Sequence, residues 1–456
     1  MFNYTEKSQN VLSGLKAKPY RPILDGRVKK ATGLTIEAVG IDAPIGSLCN
    51  IKTEDGVVYE AEVIGFNDGV TFLIPITRVK SLTPMARVSH FGHQATIPIT
   101  DEYIGRVIDA NGRPIDGGSK FVNVEYVSVE PDEINPMARS PINKALDVGV
   151  ASINAFTTVG QGQRMGLMAG SGVGKSVLLG MMTRFSSADI IVVGLIGERG
   201  REVKEFIDHV LGAEGRKKSV VVAAPADQSP LMRVRAAELS TRIAEHYRDK
   251  GKNVLLLMDS VTRYAQALRE ISLAIGELPV NKGYPTSVFA KLPSLIERAG
   301  NGLNGVGSIT AFYTVLSEGD DLQDPIADAA RAILDGHVVL SREIADRGQY
   351  PAVNIEGSVS RVFDAVASKK HNKMVKQLKR IYSIYREKED MLNIAYQAGT
   401  NKELDAAIAM FPKITDFLTQ GIDECRDLSG SIAEIEALFA QLLECLDESE
   451  EKTETA

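Results

Sequence analysis

The alternation of apolar and polar residues divides the chain into regions of different kinds. From about Gly26 to Pro98, short alternating runs such as YEAEVIGF and VTFLIPI are interrupted by the turn sequences EDG, NDG and IGS. Period-two alternation with frequent turn residues is typical of small antiparallel β-barrels and sandwiches. The pattern therefore predicts a small antiparallel β-barrel or sandwich over residues 21–98, and the domain is assigned as a β-barrel.

From about Ala145 to Ala365, continuous apolar runs replace the alternation: RMGLMA, DIIVVGLIG, SVVVAA, NVLLLMD, SITAFYTV and GHVVL. Such runs are typical of parallel strands that helices cover on both faces. Helical patterns alternate with them, and in SPLMRVRAAELSTRIAEHYRDKG a serine and a proline mark the first turn, with Gly251 at the C-terminal cap. With the turn-rich stretch before it, this region predicts an α/β domain over residues 99–367.

The two ends of the chain follow neither pattern. From about Ser368 onward the sequence is helical and ends in the acidic stretch DESEEKTETA, which predicts a C-terminal helical domain over residues 368–456 with a solvated tail. Residues 1–20 are polar, with Val11 and Leu15 at helical spacing. This segment is interpreted as a short amphipathic helix for a partner, and a frayed terminus is the alternative.

Composition and charge narrow the class of protein. The 456 residues carry a net charge of −7, which argues against bulk nucleic-acid binding. Cys49, Cys425 and Cys445 lie far apart and form no CxxC pair, so neither a zinc site nor a disulfide framework is indicated. With no signal peptide and no long apolar run in the sequence, we expect a cytoplasmic protein.

The stretch AGSGVGKS, residues 169–176, lies between the apolar run RMGLMA and the helical pattern SVLLGMMTRF. This order predicts a phosphate-binding P-loop, in which backbone N–H groups converge on phosphate oxygens at a helix N-terminus. Lys175 can reach the β- and γ-phosphates of ATP, and the Ser176 hydroxyl can bind Mg²⁺. Ala169 replaces the usual first glycine, and a chance glycine-rich turn is the alternative. The predicted cofactor-binding residues of the loop are Gly170, Ser171, Gly172, Val173, Gly174, Lys175, Ser176 and Val177.

Two carboxylates follow apolar strands of the same region. Asp259 ends NVLLLMD, and a carboxylate in that position beside a P-loop holds the magnesium shell. Glu198 follows DIIVVGLIG, where it can polarise the water that attacks the γ-phosphate. The alternative for Glu198 is a surface ion pair with Arg199 or Arg201.

Six stretches together resemble a known family: AGSGVGKS, GLIGERGREV, LLLMDSVTRYAQALREI, GYPTSVFAKLPSLIERAGN, DDLQDPIADAARAILDGHVVLSR and YPAVNIEGSVSRV. They are similar to the rotary-type ATPase superfamily, and within it to the flagellar protein-export branch of the type III secretion ATPases. The resemblance extends from about Gly26 to Gly421. It implies a RecA-like P-loop NTPase core between the β-barrel and the C-terminal helices, and ATP and Mg²⁺ as cofactors.

The resemblance also implies roles for single positions. Lys175 and Ser176 match the phosphate- and magnesium-binding pair of the family, and Asp259 matches its magnesium-shell acid. Glu198 matches the glutamate that activates water, and Arg199 matches the arginine beside it. Each of these positions lies in a stretch quoted above.

Three further positions are implied to touch the nucleotide. Arg263 matches an arginine that reaches it, Tyr350 an aromatic residue that stacks on adenine, and Arg361 the arginine finger supplied by a neighbouring subunit. The resemblance is carried over for this one adenine-flanking aromatic only, because near FLTQG a glycine and the following Ile422 stand where a second would be expected. Since Glu198 and Arg361 occur in one chain, identical copies can complete every site, which predicts a homo-oligomer, by resemblance a hexamer.

The implied function is ATP hydrolysis coupled to chaperone release and to export of flagellar proteins. The implied partners are a central stalk protein, chaperone–substrate complexes, a stator-like regulator at residues 1–20, and the membrane export gate through these partners. No nucleic-acid partner is expected, and the protein is placed in the cytoplasm, peripheral to the export apparatus at the inner membrane. Tyr284 and Phe289, in GYPTSVFAKLPSLIERAGN, are interpreted as contacts in a central channel, with helix core as the alternative.

Other functions stay open at this point. The nearest is the virulence injectisome ATPase, whose site chemistry is the same. The catalytic subunit of a proton-coupled ATP synthase is disfavoured by the Glu198 and Arg361 pair in one chain. An RNA translocase would need clustered aromatic and basic residues, and Phe66, Phe72 and Phe91 are scattered. A scaffold without turnover is disfavoured by the presence of Glu198.

Overall fold

The computed structural model describes residues 25–77, 79–94, 96–129, 134–316, 324–395 and 401–454. The chain divides into two compact units, Met1–Ala95 and Thr96–Ala456. The helix expected within residues 1–20 lies outside the described residues. Among the described helices, none has both the length and the apolar character needed to cross a bilayer.

The first unit is a closed antiparallel barrel of six strands in the order β1-β2-β5-β4-β3-β6. Alternate residues of each strand point inward, as the period-two pattern of the sequence requires; Ile51, Val63 and Leu73 are fully buried. The strands are β1 Asp25–Thr32, β2 Thr35–Val39, β3 Ser47–Lys52, β4 Val58–Asn67, β5 Val70–Pro75 and β6 Arg87–Gln94.

The second unit is built on a nine-stranded sheet. Its order is β19-β18-β12-β17-β15-β13-β14-β8, and β16 pairs along β17. Neighbours from β18 to β8 are parallel, whereas β19 and β16 are antiparallel to their partners. The strands are β8 Val107–Ile108, β12 Arg164–Ala169, β13 Ile190–Ile196, β14 Ser219–Ala224, β15 Asn253–Asp259, β16 Gly300–Asn301, β17 Ser308–Leu316, β18 Gly336–Leu340 and β19 Val353–Ser360.

Two small two-stranded sheets complete the strands of this unit. They pair β7 Thr96–Ile99 with β9 Glu125–Ser128, and β10 Ala145–Leu146 with β11 Val159–Gly160. Single 3-10 turns occur at Asp101–Tyr103 and Pro136–Ala138.

Helices cover the central sheet, which explains why its strands are apolar along their whole length. The helix α5 packs against β13, β14 and β15, and the Ser229 hydroxyl accepts a hydrogen bond from the Met232 N–H at its start. The helices are α1 Ala151–Phe156, α2 Lys175–Phe185, α3 Gly200–Glu205, a π-helical turn Phe206–Leu211, α4 Gly212–Arg216, α5 Pro230–Asp249, α6 Val261–Ala274, α7 Thr286–Ile296, α8 Pro325–Ile333, α9 Arg342–Asp346 and α10 Phe363–Val366.

Three longer helices follow α10 and belong to the same compact unit. They are α11 Lys369–Ala395, α12 Lys402–Leu418 and α13 Leu428–Glu454. The rings of Tyr385 and Phe411 stack at 3.8 Å between α11 and α12, and α12 and α13 both contact α1. The predicted helical character of the C-terminal region agrees with this arrangement.

Candidate nucleotide-binding and catalytic site

The glycine-rich loop joins the carboxyl end of β12 to the start of α2, as the sequence predicts. Gly172 and Gly174 have φ values of +79° and +85°, in the left-handed region that glycine adopts readily. Val173 between them is buried and anchors the loop. Ala169 is the last residue of β12 and pairs with Leu340 of β18. The first position of the motif is therefore part of a strand, where a Cβ is accommodated.

Three charged residues from three elements meet beside this loop. The Nζ atom of Lys175 lies 2.5 Å from Oδ1 of Asp259 and 3.4 Å from Oε1 of Glu198. Asp259 ends β15 and Glu198 follows β13, the next strand of the sheet. Both carboxylates reach the loop because the carboxyl ends of parallel strands share one edge.

The surroundings of this cluster shift the proton affinities of two of its members. Burial, together with the negative charge of Asp259, raises the pKa of Glu198 to about 7, although Lys175 opposes the shift. Burial alone lowers the pKa of Lys175, but the charges of Asp259 and Glu198 outweigh it, so the pKa of Lys175 is raised. Lys175 is therefore protonated at neutral pH, whereas Glu198 gains or loses its proton close to pH 7.

The two predicted arginines near Glu198 have different environments. The side chain of Arg263 packs against Gly197, whose added Cβ would lie 2.8 Å from the Arg263 Cβ. Its Nη1 donates to Gln266 at 2.8 Å, while its buried Nε has no hydrogen-bond partner in the part of the chain that the structure describes. Arg199 is 84% exposed and pairs with Glu202 at 3.1 Å. The structure thus brings Arg263, but not the guanidinium of Arg199, against the loop that carries Glu198.

Tyr350 lies at the phosphate loop. A Cβ added to Gly174 would be 3.4 Å from Cδ1 of Tyr350, so the ring packs beside the last glycine of the loop. The Tyr350 carbonyl accepts a hydrogen bond from the Gln420 N–H at 2.9 Å. This bond places the FLTQG segment next to the tyrosine, where Ile422 is exposed.

Arg361 lies at the amino ends of the parallel strands, opposite the carboxyl ends that carry the phosphate loop. Its N–H donates to the Asp335 carbonyl at 2.9 Å and its exposed guanidinium to the Arg331 carbonyl at 3.2 Å. The preceding residue, Ser360, pairs with Gly336 at the start of β18, whereas Ala169 pairs with the end of β18. The length of that strand, roughly 13 Å at about 3.3 Å per residue, separates Arg361 from the phosphate loop of its own chain.

Two residues at the site were missed by the sequence analysis. The hydroxyl of Thr314, in β17, donates to Oδ1 of Asp259 at 2.7 Å. Nη2 of Arg342 donates to the Ser171 carbonyl of the phosphate loop at 3.0 Å. The run SITAFYTV contains two threonines, Thr310 and Thr314, and nothing in the sequence distinguishes them. No local pattern pointed to Arg342 either.

The oxygen ligands at the loop suit Mg²⁺. Ser176, exposed in the first turn of α2, offers a hydroxyl, and Asp259 offers a carboxylate. Within the described ranges, no group of three or more His, Cys, Asp or Glu side chains is arranged to hold a metal ion. A magnesium ion here would therefore also depend on phosphate oxygens and water, which is how Mg²⁺ is usually bound with nucleotides.

The fold and this site together define a P-loop ATPase with an ATP synthase-type nucleotide-binding domain. Residues 149–360 match the family model described as "ATP synthase alpha/beta family, nucleotide-binding domain". Residues 367–437 match the one described as "T3SS EscN ATPase C-terminal domain". These matches cover the central sheet apart from its edge strand β8, and most of the C-terminal helices.

Individual relatives narrow the class further. The chain is 56% identical over 426 residues to a flagellum-specific ATP synthase of Pseudomonas aeruginosa, covering 92% of this chain and 94% of that protein. It is 53% identical over 425 residues to that of Salmonella typhimurium, covering 91% and 93%. The chain belongs to the flagellum-specific branch of the ATP synthase α/β family.

Solved structures agree with this assignment. The assembled ATPase EscN of the type III secretion system of enteropathogenic E. coli is similar with a TM-score of 0.86 and 40% identity, covering 91% of this chain and all of that one. EscN in complex with its central stalk EscO is similar with a TM-score of 0.83 and 39% identity, covering 91% of this chain and all of that one. The predicted family, the α/β fold with its β-barrel and C-terminal helices, and the ATPase activity are confirmed.

Proposed function

We propose that this protein is the ATP-hydrolysing subunit that energises flagellar protein export, coupling hydrolysis to chaperone release and to delivery of export substrates. The observation that carries the proposal is the meeting of Lys175, Asp259 and Glu198 at the phosphate loop. The chain's flagellum-specific relatives supply the cellular setting. Its higher identity to them than to EscN favours the flagellar over the virulence system.

The chemistry follows from what each side chain can do. The loop N–H groups and Lys175 bind the β- and γ-phosphates, because converging N–H dipoles and the lysine cation both attract anionic oxygens. Ser176 and Asp259 would hold Mg²⁺, which when bound would neutralise charge that develops on the phosphates. Glu198 orients the attacking water and accepts its proton, a task suited to a carboxylate whose pKa is about 7. Thr314 keeps the Asp259 carboxylate in place.

The remaining polar contacts are assigned to the outer parts of the nucleotide. Arg263, packed against Gly197, approaches the phosphates from the loop that carries Glu198. Arg199, which is exposed, is available to a ligand or to a neighbouring copy. Tyr350 stacks on adenine, and the exposed Ile422 beside it gives the base an aliphatic rather than an aromatic second neighbour.

Each site is completed by a second copy of the chain. Arg361 cannot reach its own phosphate loop across the sheet, whereas a head-to-tail neighbour can present it there. A closed ring of such contacts is a homohexamer by analogy with the assembled EscN structure. Each copy then contributes Lys175 and Glu198 to one site and Arg361 to the next.

The stalk or substrate contact is assigned to the loop between α6 and α7. Tyr284 is 5% exposed and stacks edge-on against the half-buried Phe289, so it belongs to the packing of this loop. Leu278 and Val280, at 79% and 70% exposure, are the apolar side chains that this loop presents to solvent. EscN binds a central stalk, and we assign the equivalent contact here to Leu278 and Val280 rather than to Tyr284.

Location and the other partners follow from the same function. We place the protein in the cytoplasm, peripheral to the export apparatus at the inner membrane, with the export gate reached through partners. Chaperone–substrate complexes are its cargo, and residues 1–20 are assigned to a stator-like regulator. No nucleic-acid partner is part of the proposal, which is consistent with the net charge of −7.

The test is replacement of the chromosomal gene by the Lys175→Ala variant. The phosphate site then lacks its cation, and we expect ATP hydrolysis to fall on the order of 100-fold or more, with loss of swimming and of flagellin secretion. Lys217→Ala is the control, because Lys217 is an exposed lysine paired with Glu214 on the surface. Swimming at the parental rate without measurable hydrolysis would contradict the proposal, and so would loss of a needle-type secretion activity with swimming intact.

A further inference from the structure

We propose that Arg342 is a positioning residue of the phosphate loop, which it holds through the carbonyl of Ser171. The inference concerns the nucleotide site of the proposed function and rests on ATP binding there. Neither the sequence motifs of the loop nor its glycines identify this residue. Its role is to fix the direction of one loop peptide rather than to touch the reacting atoms.

The fold brings Arg342 to the loop by strand register. Leu340, the last residue of β18, pairs with Ala169, the last residue of β12. Ser341 then caps α9, its hydroxyl accepting from the Ile344 N–H, so the helix starts at Arg342 directly beside the loop. Nη2 of Arg342 lies 3.0 Å from the Ser171 carbonyl oxygen.

The hydrogen bond matters because of peptide geometry. The C=O of Ser171 and the N–H of Gly172 belong to one rigid planar unit and point in opposite directions. A guanidinium that holds the carbonyl on the outside of the loop therefore aims the N–H toward the phosphates. Converging N–H groups are what make such a loop an anion site.

Little else fixes this peptide. Ser171 and Gly172 are exposed, and a Cβ added to Gly172 would find no atom within 4 Å. Glycine has wide conformational freedom, and the nearest packed anchor is Val173, one residue further on. The arginine thus supplies an orientation that packing at this point does not.

The helix that carries Arg342 is fixed from its other side. Glu343 accepts hydrogen bonds from Arg347 at 2.9 Å and from Arg386 of α11 at 2.7 Å. Arg347 also donates to Glu389 at 2.9 Å. Arg347 is the C-terminal cap of the same short helix and forms ion pairs with Glu343 and with Glu389 of α11. It is a matched control, because none of these bonds involves the phosphate loop.

The test compares steady-state ATP hydrolysis and equilibrium Mg·ADP binding for Arg342→Met, Arg342→Lys and Arg347→Met. Loop N–H groups bind phosphate oxygens in the ground state and in the transition state alike, so their misdirection removes uniform binding. For Arg342→Met we expect KM for ATP and Kd for Mg·ADP to rise about tenfold, on the order of 1.4 kcal/mol, with kcat within about twofold. Arg342→Lys keeps a donor and should recover most of the affinity.

Arg347→Met should keep the parental KM and Kd. A merely structural role for Arg342 would reduce the active fraction, which lowers kcat and leaves KM unchanged, and that outcome overturns the proposal. An equal rise of KM in Arg342→Met and Arg347→Met would also overturn the proposal. Parental KM and Kd values in Arg342→Met would overturn it as well. These results would not contradict the proposed function. ATP hydrolysis at the parental rate by Lys175→Ala would contradict both the proposed function and the proposed role of Arg342.

Discussion

Lys175 and Arg361 lie at opposite ends of the parallel strands of the central sheet. Lys175 follows the carboxyl end of β12, whereas Arg361 follows Ser360, which pairs with the first residue of β18. The length of a strand separates them, and the Arg361 guanidinium is exposed and bound to the Arg331 carbonyl. An arginine so placed is suited to act on the site of another copy.

The first prediction tests this division between copies. Arg361→Ala and Glu198→Gln subunits should each be inactive alone, because one lacks the finger and the other the base. Random one-to-one mixing should restore about a quarter of the parental activity per ring, since two independent one-in-two choices give an interface with both wild-type groups. Hydrolysis is measured after mixed rings are verified by mass spectrometry.

A mixture containing one variant and an Arg361→Ala, Glu198→Gln double variant is the control. None of its interfaces carries both groups, so it should stay inactive. Mixed rings that recover no more activity than this control would contradict a shared site.

The second prediction concerns pH. Glu198 must be ionised to accept a proton, and its pKa is raised to about 7 by burial and by Asp259. We therefore expect kcat/KM, which reports the free enzyme, to fall below pH 7 by about tenfold per unit as the carboxylate is protonated. Because the carboxylate is half ionised at its pKa, kcat/KM should rise by a further factor of about two above pH 7 and level off near pH 8.

Glu205→Gln is a suitable control for the pH profile. Glu205 lies on the neighbouring helix and pairs with Arg201 at the surface, so its loss should leave the acid limb in place. An acid limb centred near pH 4.5, the ordinary range of a glutamate, would show that Glu198 does not set it.

The third prediction uses two glycines of the GERG motif. Gly197 has a φ of +72°, and a Cβ there would approach the Arg263 Cβ to 2.8 Å. Gly197→Ala should shift Glu198 or Arg263 and reduce kcat/KM on the order of 100-fold. Gly200→Ala, three residues away, meets no atom within 4 Å and should alter stability by about 0.5 kcal/mol or less. Equal hydrolysis by the two variants would mean that the Gly197–Arg263 contact is irrelevant to activity.

The fourth prediction separates the contact surface of the α6–α7 loop from its packing. A Leu278→Ser, Val280→Ser double variant should keep basal hydrolysis within about twofold and the parental stability, because both side chains are exposed, but should lower flagellin secretion. Tyr284→Ala should lower the free energy of unfolding by about 3 kcal/mol, since a buried ring is lost. Urea denaturation and secretion assays distinguish the two. Normal secretion by the double variant would remove this loop as the contact.

Much of the site could be predicted because its residues come directly after apolar strands in the sequence. The P-loop, Asp259 and Glu198 each come after an apolar run, and parallel strands bring such ends to one edge. Thr314 could not be assigned, because a buried threonine is compatible with any strand. Arg342 could not be assigned either, because its contact depends on the pairing of β18 with β12.

The details that the sequence leaves unresolved have equally local causes. The apolar content of the α6–α7 segment indicated a contact surface but not which side chains face outward. Tyr284 turns inward because its ring accepts the Arg269 guanidinium at 4.9 Å and meets Phe289. The region before β10 is rich in turn residues, and Val107–Ile108 is too short for a periodic signal although it forms the edge strand β8. Pairing with β14, which no pattern in the sequence reveals, defines that strand.

The closeness of Gly174 to the Tyr350 ring limits which side chains the phosphate loop can carry. A Cβ at this position would lie 3.4 Å from Cδ1 of Tyr350, which is ordinary van der Waals contact. An alanine methyl would therefore just touch the aromatic wall, whereas a longer side chain directed at the ring would have to displace it, and the φ of +85° would strain either residue.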